Sequence, residues 1–155
     1  MDTAALQSSR QQRLSPSSAG RSRNLSAIRR TNTKPEVLLR SLLHARGLRF
    51  RKDFLVRLPP SLKARPDVAF TRLRVALFYD SCFWHSCPEH GRQPGVNQWY
   101  WRPKLARTAE RDRIQTQALR GAGWLVIRIW EHDDLLKAVD DVVEIIAARR
   151  QELAS

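Results

Sequence analysis

Residues 74–80, RVALFYD, form the most apolar strand-like run in the chain, and such a run fits a central strand covered on both faces. It therefore demands a sheet with helices packed against it. Three further strands read from the pattern: LRFRKDFLV (48–56) before the Pro59-Pro60 turn, RPDVAF (65–70), and WLVIRIWE (124–131). The helices carry their own boundary signals. Thr33 is an N-cap with Pro35 in the first turn and Glu36 three residues on. Leu38, Leu39, Leu42 and Leu43 make the apolar stripe of that helix, and Gly47 ends it. A long basic helix spans 99–120, closed by Gly121 and Gly123, and DDLLKAVDDVVEIIAARR (133–150) is amphipathic with Asp133 or Asp134 as its cap. The order α-β-β-β-α-β-α predicts an α/β fold, a mixed β-sheet flanked by helices, on the plan of the restriction-endonuclease-like nucleases. Residues 1–23, rich in Ser, Gln and Arg, predict a disordered basic arm before a single domain over 24–150, with 151–155 as a C-terminal tail.

Charge narrows the partner. Lys and Arg number 28 against 15 acids, a net +13, which in a compact chain points to a polyanion and first to nucleic acid. The excess is uneven: nine bases face Asp53 and Asp67 over 46–74, whereas seven acids face three bases over 131–155. One side is thus expected to face phosphates. The competing account is a solvated face in an arginine-rich protein. No run approaches the length of a membrane helix and the N-terminus lacks the apolar stretch of a signal peptide, so an intracellular protein is expected.

In a reducing compartment, the two cysteines of CFWHSCPEHG (82–91) are better metal ligands than disulfide partners. Cys82, Cys87 and His90 give C-x4-C-x2-H, the donor chemistry of a structural zinc, with His132 at the end of the last strand as candidate fourth ligand. His85 is an alternative ligand, in which case His90 or His132 is surplus. His44, among leucines, is expected to be packed or solvated. Asp67 opens one strand and Asp80 ends the next, so hairpin geometry can bring the two carboxylates together. Nucleases of the P-D…(D/E)-x-K kind hold Mg²⁺ with such a pair. Here Cys82 occupies the lysine position, which leaves His85 as candidate general base or phosphate stabiliser. Glu36 is locally explained by the capping box.

Taken in order, SRNLSAIRRTNTKPE, RPDVAF, CFWHSCPEHG, WYWRPKL, ERDR and GWLVIRIWEH resemble the very short patch repair (Vsr) endonucleases over roughly residues 22–135. The resemblance implies a restriction-endonuclease-like fold with structural zinc, and nicking of one strand 5′ to the thymine of a T·G mismatch. It makes Asp67 the Mg²⁺ carboxylate, adds the backbone carbonyl of Tyr79 to that ion, gives His85 the water or phosphate, and places Glu36 in support. Phe83, Trp84 and Trp101 match an aromatic wedge and Leu25 an apolar residue entering from the other groove, while Lys104, Arg107 and Arg111 fall on a DNA-contacting helix. Core packing is the alternative for these rings, and it is retained for Trp124 and Trp130. Three positions depart from the family pattern: Asp80 stands in place of a second catalytic histidine, Ser81 in place of a glycine, and Thr108 where asparagine is common. Implied partners are mismatched duplex DNA, mismatch-repair proteins and a repair polymerase, with a functional link to a cytosine-5 methyltransferase. The expected setting is a monomer at the bacterial nucleoid in the cytoplasm. The rivals are a related endonuclease with another DNA target and a non-catalytic zinc-containing DNA-binding protein.

Overall fold

The computed structural model describes residues 32–91 and 95–155; the expected basic arm and Leu25 lie outside them. The chain runs α1 (Lys34–Ala45), β1 (Val56–Leu58), β2 (Leu62–Ala64), β3 (Val68–Phe70), β4 (Val75–Asp80), α2 (Gln98–Gly121), β5 (Leu125–Trp130) and α3 (Leu135–Ala154). β4 lies at the centre of a three-stranded sheet, antiparallel to β3 with Val68 opposite Leu77 and parallel to β5 with Asp80 opposite Trp130. The parallel pair needs a crossover, which α2 provides. The period-two alternation of β4 divides the core. Val75 and Leu77 pack with Leu39 and Leu43 of α1 and Val139, Val142 and Ile146 of α3, while Ala76 and Phe78 pack with Leu119 of α2 and with β1 and β2. Among the described residues no helix is long and apolar enough to cross a membrane.

Several boundaries differ from the sequence expectation, each for a local reason. The strand expected over 48–56 is broken: Arg51 makes an isolated bridge to Ala69, Asp53 turns to φ +52°, and regular pairing resumes only at Val56. β2, which the sequence pattern does not predict, pairs with β1 as a separate two-stranded sheet around the Pro59-Pro60 turn. RPDVAF contributes only its last three residues to a strand, since the Asp67 side chain instead accepts a hydrogen bond from the backbone of Tyr79. Leu38 faces outward at 52% exposure, so the buried stripe of α1 is Leu39 and Leu43 with Leu42 beside them. α3 runs to Ala154, making the expected C-terminal tail its last turn.

The helix ends follow side-chain chemistry. Glu36 Oε2 accepts from the Thr33 N–H at 3.3 Å, the return half of a capping box. Asp134 is the α3 cap and accepts from the N–H groups of Leu136 and Lys137, whereas Asp133 accepts from Trp130 N–H. Gly121 is the last residue of α2; Gly123, at φ +83°, takes the left-handed position that stops it.

Candidate active site at the carboxyl ends of the central strands

Two parallel neighbours end side by side, so the loops after β4 and β5 meet at one edge of the sheet, where α/β proteins characteristically place their sites. β3, running the other way, brings its start to the same edge. Asp67 therefore lies next to the end of β4, and its Oδ2 accepts from the Tyr79 N–H at 2.7 Å. In an extended chain the N–H and C=O of one residue point to the same side, so the Tyr79 carbonyl is also sent toward Asp67. Burial pushes the Asp67 carboxyl up to about 6 against the pull of the Tyr79 N–H; Glu36 and Asp80 add to the rise and His85 opposes it. Four charged groups from α1, the strands and the following loop thus converge. Glu36, capping residue though it is, is itself buried beside them.

His85 Nδ1 donates to Asp112 Oδ2 at 2.5 Å, and the same nitrogen stands 3.8 Å from Asp80 Oδ1. Burial lowers the imidazole pKa, but the Asp112 hydrogen bond and the charges of Asp80 and Asp112 outweigh it, and Arg128 only partly offsets them; the net direction is upward. Asp80, 2% exposed, is ion-paired to Arg128 Nη1 at 2.6 Å. Arg128 is held in turn by Thr116 Oγ1 at 2.9 Å and the Asp112 carbonyl at 3.4 Å, and its guanidinium lies 4.6 Å from the Phe78 ring centre. A cavity of about 350 Å³ opens on these groups, lined among others by Asp80, His85, Asp112, Arg128 and Trp130. Trp130 accordingly lies in the site and stacks 6.4 Å from His132, not in the core as expected, while Trp124 does pack against the core on the α2 side.

Asp112 and Arg128 are the residues that sequence reasoning missed. Asp112 sits inside ERDR, a segment used only as a landmark. Arg128 had a clear signal: a lone cation in the middle of an apolar strand must find a buried anion.

The Cys/His loop folds back on itself. Ligand atoms of Cys82, Cys87, His90 and His132 all lie within 4.8 Å of one another; Cys82 Sγ is 3.1 Å and Cys87 Sγ 3.6 Å from His132 Nδ1. His85 is not part of this cluster and points to Asp112 instead. The Cys82 N–H donates to Glu131 Oε1 at 3.0 Å and so ties the loop to the residue after β5. His44 is exposed on α1 and packs on Phe50, ring centres 4.4 Å apart, away from either group.

Between the two cysteines, Phe83 and Trp84 join Trp101 of α2 in a three-way edge-to-face cluster with centroids 5.2–5.6 Å apart, all half-buried. Lys104 Nζ stands 5.3–5.4 Å from the rings of Trp84, Tyr100 and Trp101, an aromatic seat that fixes the cation beside the cluster. Arg107 and Arg111 are exposed further along α2, and Thr108 Oγ1 turns back to the Lys104 carbonyl at 3.1 Å.

The family model of DNA mismatch endonuclease Vsr matches residues 16–89. The type II nicking enzyme V.NaeI of Lentzea aerocolonigenes is 56% identical over 131 residues, covering 84% of this chain and 79% of that protein. The chain belongs to the Vsr family. The type II nicking enzyme V.XorIIP of Xanthomonas oryzae pv. oryzae is 38% identical over 109 residues, 67% of this chain and 74% of the other. The DNA mismatch endonuclease Vsr of Escherichia coli K12 is 35% identical over 116 residues, 73% of this chain and 70% of the other. The segment matched by the Vsr model holds Glu36, Asp67, Asp80, His85 and both cysteines, whereas Asp112, Arg128 and His132 lie beyond it.

Proposed function

We propose that the protein is an endonuclease that nicks one strand of duplex DNA 5′ to the thymine of a T·G mismatch, on a restriction-endonuclease-like plan with a structural zinc. The observation that carries this is a single juxtaposition. A desolvated carboxylate, Asp67, and a carboxylate-bound imidazole, His85, face one edge of the sheet on which a solvent-accessible aromatic cluster also stands.

Asp67 and the Tyr79 carbonyl are hard oxygen donors that suit Mg²⁺, and the high pKa of Asp67 marks a carboxylate that gains from a nearby cation. Such an ion, when bound, polarises the scissile phosphate and lowers the pKa of an attacking water. His85 is the group that moves the proton. Asp112 holds Nδ1 and so leaves Nε2 for the water or the phosphate, while the Asp112 hydrogen bond and the charges of Asp80 and Asp112 favour the ring once it has taken up a proton. Glu36 supports the site from α1. Asp80, held by its ion pair to Arg128, positions His85.

Two thiols and two imidazoles within 4.8 Å suit a tetrahedral zinc, whose bonds run about 2.0–2.3 Å. Purified protein is expected to contain one zinc, and Cys87→Ser is expected to lower the melting temperature and release it. Metal analysis showing no zinc, with unchanged melting in the variant, would count against the site.

Phe83, Trp84 and Trp101 are suited to enter a duplex where a wobble pair is easily unstacked, with Lys104, Arg107 and Arg111 on phosphates and bases of the flank. Lesions of this type arise from 5-methylcytosine, which links the protein functionally to a cytosine methyltransferase and to repair enzymes that follow the nick. The test is nicking of duplexes identical except for T·G or C·G, in Mg²⁺. Wild type is expected to cut only the mismatched duplex, and His85→Gln to cut it about 10²- to 10⁴-fold more slowly. Equal cutting of both duplexes would favour the endonuclease with another target. Full activity in His85→Gln would remove the base, and tight binding without cutting in any sequence context would favour the non-catalytic DNA-binding protein.

A further inference from the structure

The concentration of positive charge over residues 46–74 is not spent at the candidate active site. Arg49, Arg51 and Arg72 from that segment, joined by Arg150 of α3, line a cavity of about 430 Å³ together with Thr71. No acidic residue lines it. Phe50, Ala69, Phe70 and Leu73 supply its apolar lining. Among the described residues, the side chains of Arg51, Arg72 and Arg150 have no hydrogen bond or ion pair, and Arg49 reaches only His44 Nδ1 at 3.5 Å. The undescribed residues cannot supply a general counter-charge, because Asp2 is their sole acid.

The strand directions place this cavity away from the catalytic groups. β3 begins beside Asp67 and ends at Phe70; β4 begins after Arg74 and ends at Asp80. The six residues of β4 separate the two ends by about 17 Å, at roughly 3.3 Å per residue. The arginine cavity opens at the far end of the sheet from Asp67, His85 and the aromatic cluster.

Several guanidinium groups at one concave site, with no acid to neutralise them, repel one another unless an anion is present, and their planar forks match phosphate oxygens. We propose that this cavity is a second phosphate-binding site, which holds the backbone of a DNA segment other than the one at the catalytic edge. Duplex DNA is the ligand that fits best, because a chain that works on DNA meets a continuous row of phosphates at high local concentration. The consequence is that one protein holds two stretches of DNA, or two parts of one bent duplex.

The test uses the full chain in EDTA, saturated with an unlabelled short mismatched duplex at the catalytic edge. A labelled, longer, fully paired duplex is then titrated in and followed by anisotropy at several salt concentrations. Wild type is expected to take up the second duplex. The triple variant Arg51→Gln, Arg72→Gln, Arg150→Gln should bind it about tenfold more weakly, with the slope of log affinity against log salt smaller by about 2 to 3. With Mg²⁺, the same variant should nick the short mismatched duplex within about twofold of wild type. Three results would overturn the proposal: no second duplex on wild type, equal uptake by the variant, or a parallel loss of nicking, which would put these arginines on the catalytic duplex. Because the anisotropy arm needs no cleavage, it decides the matter even if the nuclease reading fails.

Discussion

Asp67→Asn is expected to abolish nicking and at the same time to stabilise the protein by about 2 to 3 kcal/mol at neutral pH in the absence of divalent cations. Both effects come from one carboxylate. Burial lifts Asp67 from its ordinary 3.8 to about 6, a shift of roughly two units at about 1.4 kcal/mol each. A carboxyl with a raised folded-state pKa binds its proton more tightly when native, so its contribution is most favourable below about pH 4 and is lost as pH rises through about 6. Asparagine never ionises and keeps an acceptor for the Tyr79 N–H, so it escapes that loss. Urea denaturation of both proteins in EDTA from acid to neutral pH measures the gap, which should open across the same window. An asparagine variant less stable than wild type at neutral pH would show that Asp67 is held charged by something other than the groups described.

Arg128→Met carries the opposite expectation, a loss of about 3 to 5 kcal/mol. It strands Asp80, 2% exposed, without its guanidinium, and also removes the donors to Thr116 and to the Asp112 carbonyl. Asp80→Asn in the same background should recover much of that loss, because a neutral amide needs no counter-ion. A double-mutant cycle in denaturant gives the coupling. Additive effects would show that the pair is not the unit described. Nicking should fall in the single variant beyond what destabilisation accounts for, since Asp80 then competes for His85 Nδ1 at 3.8 Å.

The pair also bears on the departure noted at position 80. Where the resemblance implies a second catalytic histidine, this chain has an acid that is already committed to an arginine on the neighbouring strand, β5. In the proposed mechanism a two-histidine scheme is therefore not carried over whole, and His85 is paired with Asp112.

What could be seen in the sequence followed from periodicity and donor chemistry. The apolar run of β4 announced its central place, and capping and glycine signals bounded α1 and α2 to within about a residue, whereas α3, with no such stop signal, runs past the expected residue 150 to Ala154. The Cys/His spacing and the end of β5 gave all four members of the cluster. What could not be seen depended on contacts between distant segments. Three-residue strands such as β2 are too short for an alternation to register, and Asp53 broke an otherwise convincing strand by adopting a left-handed backbone. Asp112 looked like one more charge on a basic helix until the fold set it against His85. Arg128 was visible as an anomaly, but its partner was not, because only the register of β4 with β5 brings Asp80 within reach. Trp130 was misassigned to the core because an aromatic ending an apolar strand looks the same whether it is covered or faces a cavity.

The loop from Cys82 to Cys87 carries Phe83, Trp84 and His85 between its two anchored sulfurs. On the proposed function, the probe of base stacking and the agent of hydrolysis therefore ride on one short span and are not advanced separately. A duplex that resists opening would hold off the rings, and with them the imidazole. Discrimination built in this way would act as a commitment step, in which a correctly paired site is released before any bond is at risk.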